Sequence, residues 1–266
     1  MHANCQGEHL VNALQASAEF ARAYDLRVYL NYARQEIPQA DLACCSLFLY
    51  QHLGPEWGPL SSQALLSRLP AQCPSLCIPN IFFRAYWPLW SGRPGFDYRD
   101  LYLDYLLDMG LPRRDILHLY LNTSLSKKYA LDALLAETIA IERVREAHTP
   151  VKYLDLILER YRSERLLFTI NHPGPELLAH AAQGILRELG IPCPDPMPLP
   201  QLEPYYASFE QPIHPQVAER LGLSFITPDT VYTIYGRPMT FSQYACAYVD
   251  CRLAGIEEFI GYLQMI

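Results

Sequence analysis

Apolar positions along the chain fall into long stripes and short runs. Leu10, Leu14, Ala18 and Ala21 recur at spacings of three and four, which predicts a helix over residues 6–24. Short apolar segments follow at 26–31, 45–51 and 75–80, with a fourth at 166–171. Each is too short for a typical helix and ends in polar or turn residues, as a buried strand does. Elsewhere the periodicity is helical. Residues 98–109 stop at Gly110, and 112–121 carry Pro112 at their start. Residues 124–147 set Leu131, Leu134, Leu135 and Ile139 on one side. Thr149 and Pro150 restart the pattern, since Thr caps a helix and Pro suits its first turn. Residues 175–189 stop at Gly190 and 215–221 at Gly222. Thr240 with Gln243 forms a capping-box pattern before a last helical run.

Strands separated by helices predict an α/β fold: a small, mostly parallel sheet flanked by helices, with a large helical portion. Residues 98–165 are nearly all helix and are expected to form an insertion or lid within a single domain, 1–266. Six prolines within 191–204 exclude a regular helix or a central strand there and predict a surface connection. No repeat or flexible linker interrupts the chain.

Composition narrows the class. With 50% hydrophobic and 18% charged residues, the 266-residue chain is not disordered and is long enough to bury a core without disulfides or metal. No apolar run approaches a membrane span, and no secretory leader is visible. A net charge of −7 argues against general binding to nucleic acid or anionic lipid. The eight cysteines therefore read as reduced thiols in a cytoplasmic protein.

One cysteine has a positional reason to be reactive. The chain opens His2-Ala3-Asn4-Cys5-Gln6-Gly7-Glu8-His9, polar residues at the start of the first helix. A thiol at a helix amino-terminus is expected to have a lowered pKa, and the N–H groups there, with the Gln6 amide, suit an oxyanion. Burial as a small packing residue is the competing reading of Cys5. His2, Cys5 and His9 are ligand-type residues, but no matching second half follows, so no metal is expected. A second constellation, Asn171-His172-Pro173, sits where a strand gives way to a helix, and His172 is a candidate general base there. Gln51 and Asn80 end two further strands, so several polar junctions can converge on one crevice.

The Asn4-Cys5-Gln6-Gly7 opening, Tyr50-Gln51, Ile78-Pro79-Asn80 with Tyr86-Trp87-Pro88, and Asn171-His172-Pro173 resemble the polysaccharide-biosynthesis acetyltransferase family typified by WcbI of bacterial capsule pathways. Pro212-Ile213-His214-Pro215 and the 240–248 helix also look family-like. The resemblance implies coenzyme A binding, with acetyl-CoA as acyl donor, and acetyl transfer to a sugar hydroxyl of a polysaccharide. It makes Cys5 and His172 the leading catalytic candidates, with Asn4, Gln6, Gln51, Asn80 and Asn171 as positioning or oxyanion groups. The order of motifs is also similar to that of SGNH-type hydrolases, a Rossmann-like topology. Family members carry a short strand before the Asn-Cys-Gln turn. With only Met1-His2-Ala3 in front, that edge is expected to be cut short or built differently, leaving Cys5 on a freer terminus.

Coenzyme A carries phosphates, so an acidic protein needs local cations. Arg113-Arg114 and Lys127-Lys128 stand near helix starts, a good phosphate environment. Tyr86 and Trp87, with Trp90, form an aromatic run suited to stacking an adenine or a sugar. Three readings stay open: a coenzyme A-dependent glycan acetyltransferase, an ester or thioester hydrolase using the same residues, and a non-catalytic coenzyme A or glycan-binding protein. The first divides into a covalent route through Cys5 and a direct route with His172 as base.

Overall fold

The computed structural model describes residues 1–202 and 204–266. They form two compact units, each assembled from three stretches of chain. The first comprises Met1–Phe82, Ile139–Arg160 and Asn171–Glu203; the second comprises Phe83–Thr138, Tyr161–Ile170 and Pro204–Ile266. The helical interval 98–165 is thus divided between the two. The proline-rich connection predicted at 191–204 has no helix or strand from 191 to 202; Glu203 lies outside the described residues.

The first unit is built on a four-stranded parallel sheet in the order β2-β1-β3-β4. The strands are β1 (His2–Ala3), β2 (Tyr29–Leu30), β3 (Phe48–Tyr50) and β4 (Ser75–Cys77). The last three lie inside the predicted apolar segments. The first corrects an expectation: His2 and Ala3 are an interior strand, pairing with Tyr29 and Leu30 on one side and, at His2, with Tyr50 on the other. Cys5 therefore follows a strand held on both sides rather than a free end. Helix α1 (Gln6–Leu14) then packs against the helix Pro175–Glu188. Gly7 permits its close approach to the sheet, because a Cβ there would stand 2.9 Å from the Ala3 Cβ and 3.1 Å from Val28 Cγ1. The helix predicted over 6–24 breaks after Leu14. Ser17 caps a second helix, Ala18–Ala23, by accepting from the Phe20 N–H.

The second unit is helical around an aromatic core, with Phe96, Tyr120, Tyr248 and Phe259 buried. Its helices include Leu101–Asp108, Arg113–Asn122 and Phe241–Leu253. The last begins with the capping box that the sequence announces, Thr240 with Gln243. The helix expected over 124–147 is two, Leu125–Lys128 and Leu131–Glu146. An antiparallel hairpin, Val231–Ile234 with Arg237–Thr240, turns through Tyr235 and Gly236, both at positive φ. Among the described residues, no helix is long and apolar enough to cross a membrane.

Candidate functional site

Amides interlock at the carboxyl ends of the parallel strands. The Asn4 N–H donates to Gln51 Oε1 (2.8 Å), and Asn4 Nδ2 donates to Asn80 Oδ1 (3.0 Å). Asn4 Oδ1 accepts from the Gln6 N–H (2.9 Å). Gln51 Nε2 donates to the Pro79 carbonyl (3.0 Å), while Asn31 Nδ2 donates to Gln51 Oε1 (3.4 Å). Polar residues following all four strands are thus tied side by side, in the place where open α/β sheets form their sites.

Gln6 is engaged at both ends of its side-chain amide. Its Nε2 donates to the carbonyls of Ile81 (2.8 Å) and Asn171 (2.9 Å), and its Oε1 accepts from the Ile81 N–H (3.1 Å). The side chain is wholly buried. Both donor hydrogens are used, so Gln6 fixes two loops in place and has none left for an oxyanion.

Cys5 stands half-buried at the start of α1, with Asn171 Nδ2 3.8 Å from its sulfur. Burial pushes its thiol up to about 11, against the pull of the Cys5 and Gln6 N–H groups toward the thiolate. This reverses the lowering expected from a helix start: desolvation exceeds the helix-terminus effect. His172 lies in extended backbone just before the helix Pro175–Glu188. Burial, then the nearby charge of His9, hold it down at about 4, so it is neutral at pH 7, with a lone pair available but a basicity below that of an ordinary imidazole. His9, itself buried on α1, is a neighbour the sequence reading did not assign to the site. Its spacing of four from Cys5, one helical turn, was the available signal. Among the described residues, no group of three His, Cys, Asp or Glu side chains is placed to hold a metal ion.

Behind the amides lies a buried charge. The Tyr153 hydroxyl bridges the Asn80 carbonyl (3.3 Å) and Glu142 Oε2 (3.1 Å), and Glu142 pairs with Arg145. Burial pushes Glu142 up to about 7 despite that pairing. Only the spacing of three between Glu142 and Arg145 marked this group in the sequence.

The other predicted ligand residues belong to the second unit. Tyr86 and Trp87 are buried: the Tyr86 hydroxyl donates to the Tyr161 carbonyl (2.7 Å), and Trp87 Nε1 donates to the carbonyls of Gln211 (3.2 Å) and Pro212 (3.1 Å). Neither ring is open as a surface platform for an adenine. Arg113 makes a two-point contact with Asp250 (2.5 and 2.8 Å), and Lys128 Nζ sits over the rings of Tyr102 and Tyr105 (4.8 and 4.3 Å). Arg114 and Lys127 are exposed.

The family model of the polysaccharide biosynthesis enzyme WcbI matches residues 1–194, which contain the whole parallel sheet, the amide network, Cys5 and His172. A solved structure of WcbI, described as the native protein without a disulfide bond between coenzyme A and one of its cysteines, is similar with a TM-score of 0.75. The likeness covers 99% of this chain and 96% of that one at 17% identity, which makes it a likeness of fold. No curated protein matches the chain significantly. The chain belongs to the WcbI family of polysaccharide-biosynthesis enzymes.

Proposed function

We propose that the chain is a coenzyme A-dependent acyltransferase that O-acetylates a sugar hydroxyl during polysaccharide assembly, with Cys5, Asn171 and His172 at the reacting centre. The reading rests on one observation above the others: a thiol and an amide donor 3.8 Å apart, with a half-buried neutral imidazole on the residue next to that amide, beyond a parallel sheet. His172 takes the proton of the sugar hydroxyl as its oxygen attacks the thioester carbon. Asn171 Nδ2 donates to the oxyanion that develops. Collapse breaks the carbon–sulfur bond, and the coenzyme A thiolate recovers the proton from His172.

Electrostatics favour this direct route over an acetyl-enzyme, because a thiol held near 11 is a poor nucleophile at neutral pH. Cys5 instead stands beside the leaving sulfur. That fits a similar protein whose description names a bond between coenzyme A and a cysteine. Eight free cysteines suit a reducing, cytoplasmic setting. The non-catalytic reading loses its main support, since β1 anchors the turn before Cys5.

Thiol release from acetyl-coenzyme A, followed with and without an oligosaccharide acceptor, tests the proposal. Release should depend on the acceptor, survive in Cys5→Ser, and fall about 100-fold or more in His172→Ala. Equal release without acceptor makes the protein a thioesterase. An acetylated Cys5 seen by intact mass during turnover overturns the direct route.

A further inference from the structure

Two of the eight cysteines come together at the amino ends of the sheet, the end opposite the amide network. Cys45 stands just before β3 and Cys73 just before β4. These strands pair in parallel register, Phe48 with Ser75, and the Phe48 N–H donates to the Pro74 carbonyl (2.9 Å). The two approaches to the sheet are therefore fixed against each other. Both cysteines also pack on one buried apolar cluster, Ile37, Leu42, Phe48 and Leu65.

The thiols interact. Cys45 Sγ donates to the Leu47 carbonyl (3.2 Å), which leaves its sulfur lone pairs to accept. The Cys73 thiol has Cys45 as a side-chain hydrogen-bond partner and also reaches the Pro74 carbonyl (3.6 Å). Burial, then this contact with Cys45, push Cys73 up to about 11. Cys73 is thus the member of the pair that keeps its proton. Neither residue is sealed off. Both are half-buried, whereas Cys77, farther along β4, and Cys251 are buried. A small oxidant can therefore reach them, and rotation about the Cα–Cβ bonds changes the distance between the sulfurs without moving either strand.

Packing alone does not call for such a pair. A single small apolar side chain at either position would fill the cluster, and two adjacent thiols are the arrangement that supports exchange. In a reducing compartment a pair of this kind is open at rest and closes under oxidation.

We infer that Cys45 and Cys73 are a redox-sensitive pair that closes into a disulfide across the amino ends of β3 and β4. The oxidant is a small disulfide of the glutathione type. The Cys45 thiolate attacks one of its sulfurs, an S–S bond forms to Cys45, and one glutathione thiolate leaves. Cys73 then gives up its proton and attacks the Cys45 sulfur, and the second glutathione leaves as a thiolate. The two cysteines lose two electrons and two protons, and oxidised glutathione becomes two thiols. The closed loop contains β3 and the helix Ser62–Leu66. The inference uses neither coenzyme A nor acyl transfer.

The full chain, reduced and then held in excess oxidised glutathione without denaturant, provides the test. Remaining thiols are blocked with N-ethylmaleimide, and the protein is digested without reductant and read by mass spectrometry. A peptide linking Cys45 to Cys73 is expected, and dithiothreitol should abolish it. Cys73→Ala removes the second attack, so glutathione should remain on Cys45 as a mixed disulfide. Cys45→Ala should give no linked peptide. Absence of the Cys45–Cys73 peptide from the wild-type digest overturns the inference. So does a link from Cys73 to the neighbouring Cys44 in its place, or a Cys45–Cys73 link that forms only in urea, which would belong to the unfolded chain.

Discussion

The side-chain amide of Asn171 lies 3.8 Å from the sulfur of Cys5, across 166 residues of sequence. Its N–H faces a thiol that burial holds protonated, near 11. Cys5 should therefore be a slow thiol. Alkylation by iodoacetamide, followed by peptide mass spectrometry between about pH 6 and 10, should be slower at Cys5 than at the exposed Cys44 and should climb only toward the alkaline end. Rapid labelling of Cys5 near pH 7 would show a stabilised thiolate and return the covalent route to favour.

His172 sets the acid limb of activity. A general base must be neutral, and this ring stays neutral down to about 4. The kcat/KM profile should stay level through pH 6.5, the ordinary imidazole value, and fall only toward pH 4. Stability moves in the same window. Unfolded histidines take up protons near 6.5 that His2, His172 and His214 refuse until about 4, so each contributes stability that is present above 6.5 and lost as pH falls toward 4. Circular dichroism at each pH separates the two effects. A limb at 6–7 in folded protein contradicts the assignment.

Glu142 acts with the opposite sign. Its folded value is raised to about 7 from an ordinary 4.5, so the folded state holds a proton that the unfolded chain releases. The stability this contributes is fully present below about 4.5 and is lost as pH rises through about 7. Glu142→Gln should therefore lose less stability than the wild type between about pH 5 and 8, measured by urea unfolding. Identical pH dependence in the two proteins would rule this out.

The strands β2, β3 and β4 were legible because short apolar runs ending in Asn or Gln leave few alternatives. β1 was not, since two residues carry no pattern and its position comes from partners at 29–30 and 50. The break at Ser17 hid behind apolar spacing that continues through it. The hairpin at 231–240 did have a signal: the β-branched and aromatic run Val231–Ile234 leads directly into Tyr235-Gly236. At the site, residue types and junctions were readable, so the convergence of Asn4, Gln51, Asn80 and Asn171 could be anticipated. Burial could not. Desolvation of Cys5 and the complete engagement of Gln6 depend on residues 81 and 171, far along the chain, and the same holds for the burial of Tyr86 and Trp87.

Gln6 and Gly7 should matter for the fold before they matter for chemistry. Gln6→Leu leaves the Ile81 N–H and the carbonyls of Ile81 and Asn171 without their partner, a loss on the order of 3 kcal/mol in denaturant unfolding. Gly7→Ala forces α1 away from Ala3 and Val28 and should cost about 1–3 kcal/mol. A change below about 0.5 kcal/mol in either variant would mean that the loops and helix are held by other contacts.

Coenzyme A binding is the most direct test of the central claim. At about 100 times its Kd a ligand stabilises by roughly 2.7 kcal/mol, which for a chain of this size raises the melting temperature by on the order of 5–10 °C. A saturable rise of that size in a thermal-shift titration with coenzyme A is the predicted result. No shift at millimolar coenzyme A contradicts the account.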